Sequence, residues 1–167
     1  MNKIKNTLTT LLLVLLTSCA TQMVTKSPQE VKMMTTKQFE TNKSLVFKSA
    51  ISLLQSESYL IEDANENTGL IRASKRIENK NAQMQQFLWG ASKDANTSKV
   101  SFYIEEFNSE LSEVKITLYE GSESTSTGYW GNKNKDVKES MVYNPEIYNQ
   151  WFNNLRAEIE RRKALTK

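Results

Sequence analysis

Few side chains of this 167-residue chain can do covalent chemistry. The sequence contains no His and a single Cys, at position 19. The lack of His excludes Ser-His-Asp and Cys-His catalytic sites and His-containing zinc sites. A single Cys excludes internal disulfides and Cys-rich metal sites. The common Gly-rich phosphate-binding motifs are also missing, so we expect no metal, no cofactor and no nucleotide. The groups that remain as candidates for chemistry or binding are the thiol of Cys19, the carboxylates and the aromatic side chains.

The residues before Cys19 have the pattern of a secretory signal. Lys3 and Lys5 give a positive start, and residues 8–16 form an apolar run interrupted by two Thr. As a helix this run would be about 14 Å long, against roughly 30 Å of bilayer hydrocarbon. That length is typical of a signal peptide that is removed. A buried N-terminal helix of the fold is the alternative, but such a helix rarely begins with two lysines.

The end of this run, LTSC at residues 16–19, resembles the lipobox of bacterial lipoproteins. The resemblance implies that residues 1–18 are cleaved and that Cys19 carries a thioether-linked diacylglycerol and an amide-linked acyl chain such as palmitate. A thiolate is nucleophilic enough for this alkylation. Ala20 and Thr21 follow instead of Asp, which resembles the sorting pattern of the outer membrane and implies a location there, facing the periplasm. A free thiol or an intermolecular disulfide is the alternative for Cys19.

Carboxylates are the remaining groups for acid–base catalysis. Glu105 and Glu106 adjoin on a predicted strand, and Glu110 and Glu113 flank the turn after it. Adjacent strand residues point to opposite faces, so Glu105 and Glu106 cannot enclose one substrate. We therefore interpret them as the solvated end of a hairpin and expect no enzymatic activity. A carboxylate-dependent envelope hydrolase or glycan-modifying enzyme is the alternative.

Two polar segments carry aromatic residues. Phe87 and Trp89 lie in one, and Tyr129 and Trp130 lie in another that is rich in Gly, Ser, Thr and Asn. Aromatic residues in polar loops can bind a partner protein or a glycan, or contact lipid headgroups. These four residues are our candidate partner-binding site. The competing interpretation is that they cap the ends of the core.

Hydrophobic periodicity predicts two helices and four strands. Apolar residues spaced by three and four predict a helix over residues 44–55, capped by Asn42 or Ser44, and a second one after Asn144 and Pro145. Runs at 59–64, 70–77, 100–105 and 114–119 predict strands. The stripe of the second helix is Tyr148, Trp151, Phe152, Leu155 and Ile159. The order α-β-β-β-β-α predicts a two-layer α+β domain, with both helices on one face of a four-stranded antiparallel sheet.

The predicted first hairpin, YLIEDANENTGLIRASK at residues 59–75, resembles a run found in small bacterial lipoproteins. It is also similar to helix-grip domains of the lipoprotein C subunit of the outer-membrane barrel-assembly machinery. The resemblance implies a fold and carries no catalytic residue. A generic helix–hairpin unit would give the same run.

The predicted chain has three parts: a signal peptide at 1–18, a lipidated tether at 19–38 and one globular domain at 39–167. A strand docked on a partner through Met23, Val24 and other apolar residues is the alternative to the tether. Cleavage removes Lys3 and Lys5 and lowers the net charge from +3 to +1, which does not favour nucleic-acid binding. We predict a lipid-anchored, non-enzymatic binding or assembly accessory with an envelope protein as partner. A structural lipoprotein with no discrete ligand is a further alternative.

Overall fold

The computed structural model describes residues 26–80, 91–128 and 130–165. These residues form three helices and six strands. In chain order they are α1 (Pro28–Thr35), β1 (Thr36–Phe39), α2 (Lys43–Ser56), β2 (Leu60–Asn65), β3 (Leu70–Glu78), β4 (Ala91–Asn108), β5 (Leu111–Thr127), β6 (Lys133–Met141) and α3 (Pro145–Leu165). The predicted signal peptide, Cys19, Phe87, Trp89 and Tyr129 lie outside the described residues.

The six strands form one antiparallel sheet in the order β1-β5-β4-β3-β2, with β6 also paired to β5. β1 pairs with residues 112–115 of β5, and β6 pairs with residues 119–127. β4 pairs along nearly the whole of β5, so β1 and β6 lie one after the other along the opposite edge of β5. β4 and β5 are therefore the long central strands from which the sheet is built.

A single hydrophobic core lies between helices α2 and α3 and one face of the sheet. Asn42 caps the start of α2: its side-chain oxygen accepts a hydrogen bond from the Leu45 N–H at 2.9 Å, which satisfies a backbone donor of the first turn. Alternate residues of the strands face the helices, as the pleat requires. The members of the core on β3, β4 and β5 are Ile71, Ala73, Val100, Phe102, Ile104, Val114, Ile116 and Leu118.

Helix α3 closes the core with the apolar stripe that the sequence predicts. Tyr148, Phe152, Leu155 and Ile159 are buried. Trp151 is half-buried and contacts Phe102 edge-on, with ring centroids 6.1 Å apart. The hydroxyl of Tyr148 accepts a hydrogen bond from the Leu118 N–H at 3.3 Å, so its polar end is satisfied inside the core.

The α+β class, the antiparallel sheet and the predicted elements are confirmed, but the sheet has six strands instead of four. The additional strands are β1 and β6. β1 is four residues long, which is too short to show a period. Residues 133–140 of β6 are all exposed, so no alternation of apolar and polar residues reveals it. Hydrophobic patterning detects strands through burial, and β6 has almost none.

Residues 28–38 form α1 and β1, where the sequence analysis predicts a tether. Ser27 caps α1 with a reciprocal pair of hydrogen bonds: its N–H donates to Glu30 Oε2 at 2.7 Å, and its Oγ accepts from the Glu30 N–H at 3.3 Å. Pro28 occupies the first turn, where no donor is lost. Met34 and Thr35 are buried. Ser27 and Pro28, which lie inside the predicted tether, are thus part of a capped helix start, with Ser27 and Glu30 forming a capping box.

A charged cluster around Glu158 of α3 should make stability depend on pH. Hydrogen bonds from Arg161 to both oxygens of Glu158, together with bonds from Ser52 and Arg162, lower the pKa of Glu158 from 4.5 to about 2 against the opposing effect of burial. The folded pKa is depressed, so the stabilisation is present above about pH 5 and is lost as the pH falls towards 2. We expect it to be about 1–2 kcal/mol, because Arg161 is half-exposed and screened by solvent.

Urea unfolding at pH 6 and pH 2.5 tests this prediction. The wild type should lose about 1–2 kcal/mol more than Glu158→Gln between the two pH values. Glu160→Gln is the matched control, since Glu160 is well exposed and bonds to Lys163 at 3.0 Å. Glu160→Gln should lose as much unfolding free energy between the two pH values as the wild type does. An equal loss in Glu158→Gln and the wild type would show that the cluster contributes nothing.

Candidate functional site

The ends of four strands meet at one end of the sheet. Glu78 of β3 pairs with Ala95 of β4. Ala91, at the start of β4, pairs with Ser126 near the end of β5. The next residue of β5, Thr127, pairs with the start of β6. We call this region, formed by residues 76–78, 91–97, 121–127 and 133–139, the distal end of the sheet. Both predicted aromatic segments are joined to it, since one connects β3 to β4 and the other connects β5 to β6.

Trp130 is the one member of the four-residue aromatic site that the structure describes. A tight turn holds it: the Gly128 N–H donates to the Asn132 carbonyl at 2.8 Å, and the Gly131 N–H donates to the Gly128 carbonyl at 2.9 Å. Gly131 has φ of 78°, which glycine adopts without strain. Trp130 is 87% exposed. The turn therefore presents a large aromatic side chain at the surface, whereas the core-capping interpretation would need Trp130 to be covered.

The core cluster does not reach the distal end. Its members on β4 and β5 end at Val100 and Leu118, which are partners in the sheet. Beyond them the strands are held by ladder hydrogen bonds and by ion pairs that each reach across an intervening strand. Arg76 Nη1 lies 2.6 Å from Glu123 Oε1, and Lys99 Nζ lies 2.7 Å from Glu139 Oε1. Nine residues of β5, 119–127, extend past the core, or roughly 30 Å of strand.

Apart from the distal end, one concave region lies on the sheet face opposite the core. It is a groove of about 340 Å³ between α1 and strands β1, β4 and β5, lined by Pro28, Val31, Lys32, Thr35, Thr36, Tyr103, Glu105, Glu113 and Lys115. Glu105 and Glu113 are direct partners across the β4–β5 ladder, which places their Cβ atoms about 4.5–5.5 Å apart. Tyr103 and Lys115 are partners in the same way.

Of the four glutamates considered in the sequence, the structure thus brings Glu105 and Glu113 together. Glu106 pairs with Ser112 and belongs to the other face of the sheet, as the alternation along a strand requires. Glu110 lies in the turn between β4 and β5 and is exposed. The Glu105–Glu113 pair follows from the hairpin register. Its signal in the sequence was the short Asn-Ser-Glu turn, from which the register can be counted.

Other features usual in functional sites are missing from the described part of the chain. Within residues 26–80, 91–128 and 130–165 there is no group of three or more Asp, Glu, His or Cys placed to hold a metal ion. In the same residues no helix has the length and apolar character needed to cross a membrane. Neither a protein-family model nor a curated protein matches this sequence.

Proposed function

We propose that this chain is a lipid-anchored cell-envelope protein, attached through Cys19 to the outer membrane and facing the periplasm. In this proposal it acts as a non-enzymatic binding or assembly accessory for another envelope protein. The observation that carries the proposal is the exposed Trp130 on its tight turn at the distal end. This end projects past the core, so a partner can approach it without displacing α2 or α3.

The position of the aromatic residues supports a protein partner. Exposed Trp and Tyr are the residue types that most often dominate protein–protein binding energy. Phe87 and Trp89 precede Ala91 closely in the chain, and Tyr129 adjoins Trp130. The strand ends to which both segments are joined lie side by side in the sheet. A binding surface built from both segments therefore needs no rearrangement of the sheet.

Crosslinking in intact cells tests the accessory function. Trp89→Ala and Trp130→Ala should each lower the yield of the crosslinked partner by about tenfold or more, as expected for residues that dominate an interface. The circular dichroism spectrum should not change. Tyr143→Ala is the matched control, because Tyr143 is half-exposed and follows the opposite end of β6. It should leave the yield unchanged. Equal yields of the crosslinked partner from the wild type and both Trp variants would contradict the proposal. A structural lipoprotein without a ligand would give no specific crosslink at all.

The groove supports a second candidate, the carboxylate-dependent hydrolase or glycan-modifying enzyme. Retaining glycosidases use two carboxyl groups about 5 Å apart. Glu105 and Glu113 are direct partners in the register, which places their Cβ atoms, though not necessarily their carboxyl groups, about 4.5–5.5 Å apart. The openness of the site weighs against it, because Glu105 is exposed to solvent and such chemistry depends on excluding water.

Hydrolysis of peptidoglycan fragments by the purified full chain tests this second candidate. Any activity should fall by at least about 10³-fold in Glu105→Gln and in Glu113→Gln, because each removes a reacting carboxylate. Glu106→Gln and Glu110→Gln lie outside the groove and should keep full activity. Activity that survives both groove substitutions would eliminate the Glu105–Glu113 pair as the catalytic site, and a wild-type chain without activity would eliminate the enzyme.

A further inference from the structure

Strand β6 is an outer strand of the sheet with a free edge. It pairs with β5 on one side, and none of the described strands pairs with its other side. Residues 133–140 are exposed, so neither α1, α2 nor α3 covers this edge. An outer strand presents a row of unpaired N–H and C=O groups, which is a template for another strand.

The hydrogen bonds to β5 show which residues of β6 face outward. The Val142 N–H donates to the Leu118 carbonyl at 2.9 Å, in line with the register in which Met141 opposes Tyr119. Since N–H and C=O directions alternate along a strand, the even-numbered residues direct their backbone groups to β5. The outward-directed residues are Lys133, Lys135, Val137, Glu139 and Met141.

The charges of β6 are complementary to those of a second, antiparallel copy of β6 in one register. A symmetric pairing places a residue on the two-fold axis, because outward-directed residues must oppose outward-directed residues. With Val137 on the axis, Asp136 opposes Lys138 of the second copy, and Lys135 opposes Glu139. With position 135, 136, 138 or 139 on the axis, two identical charges face each other, which is destabilising.

We propose that β6 is a homodimer interface, at which two copies of this chain join their sheets edge to edge with Val137 on the two-fold axis. The pairing makes one continuous antiparallel sheet. It opposes unlike charges at four cross-strand positions, in addition to the Lys99–Glu139 and Asp136–Lys138 pairs within each chain, and it covers the exposed Val137. The net charge of +3 is small for the full chain, so little long-range repulsion opposes association. The proposal does not depend on the lipid or on the aromatic site.

Co-purification of two differently tagged full-length chains from detergent extracts tests the interface. The wild-type chains should capture each other. Asp136→Lys places lysines opposite lysines in two places, and Lys138→Asp places aspartates opposite aspartates. Each variant should lower self-capture by roughly tenfold or more. Producing the two variants together should restore capture, because the variant charges are then opposite again across the interface.

Lys133→Asp is the control for the change of charge. It alters the charge of β6 by the same amount as Lys138→Asp but opposes Met141 in the proposed register, so capture should stay within about twofold of the wild type. Three results would each overturn the proposal. They are no capture between wild-type chains, full self-capture by Asp136→Lys, and no recovery of capture when the two variants are produced together.

A disulfide at the axis provides a measurement that does not depend on charge. In the proposed register the two Val137 Cα atoms are about 5.5 Å apart, which is within reach of a disulfide. Mild oxidation should therefore convert most of the Val137→Cys chain to a covalent dimer. Lys133→Cys should not crosslink, since its two copies are roughly 26 Å apart in this pairing. Crosslinking of both variants to the same extent would contradict the register.

Discussion

Alanine in place of Gly69 is expected to lower the free energy of unfolding by about 2–5 kcal/mol. Gly69 ends the turn between β2 and β3 with φ of 74°, a conformation that costs about 1–2 kcal/mol for a residue with a side chain. A Cβ atom there would also overlap the carbonyl group of Ile104 on β4, and relieving such overlap costs about 1–3 kcal/mol more. Urea unfolding measures the change.

The close approach at Gly69 is part of the sheet itself. The Gly69 carbonyl accepts a hydrogen bond from the Ile104 N–H at 2.9 Å, and the Gly69 N–H donates to the Asn65 carbonyl at 2.9 Å. Gly131→Ala is the matched control. Gly131 has φ of 78° but no atom within 4 Å of an added Cβ, so only the conformational cost of about 1–2 kcal/mol should remain. Equal losses in the two variants would show that the contact with β4 adds nothing.

Replacing Cys19 by alanine should abolish incorporation of labelled palmitate and release the chain from the membrane fraction. The proposed anchor supplies two or three acyl chains, and each buried methylene contributes about 0.8 kcal/mol of membrane affinity. Residues 26–165, apart from 81–90 and 129, contain no helix able to span a bilayer. Fractionation and mass analysis of the natural product measure the change.

Thr21→Ala is the control for the anchor, because it lies beyond the lipobox and removes a side chain of similar size. It should keep both the label and the membrane location. Label that persists in Cys19→Ala would refute lipidation at this sulfur. So would a natural product that retains its first methionine and a free thiol. Neither result would bear on the β6 interface, which is tested separately.

The elements that sequence patterning predicted are those whose burial differs between their faces. α2 and α3 each bury one stripe, and the central segments of β4 and β5 bury alternate residues, so the periods of 3.6 and 2 are visible. Past Val100 and Leu118 both strands continue for nine residues with little of that contrast, and there the pattern underestimates their length. β6 lacks it throughout.

The candidate sites depend on register, which a single strand does not reveal. Pairing across the β4–β5 hairpin opposes Glu105 to Glu113, and the separate pairing of β3 with β4 places Glu78 opposite Ala95. The sequence supplied the residue types for the aromatic site and the glutamates, but their grouping follows from the ladder. The lipobox at residues 16–19 stays a prediction, because it lies outside the described residues.

With Cys19 lipidated as proposed, the capped start of α1 would limit how far the domain can travel from the membrane. Ser27 is eight residues after Cys19, and eight residues span at most about 29 Å when fully extended. A tether running to residue 38 would more than double that maximum distance. With the proposed acyl chains in the bilayer, the domain would stay within a thin layer above the headgroups. It would meet membrane-embedded or membrane-adjacent proteins by lateral diffusion, and would be too short to bridge the two membranes of the envelope.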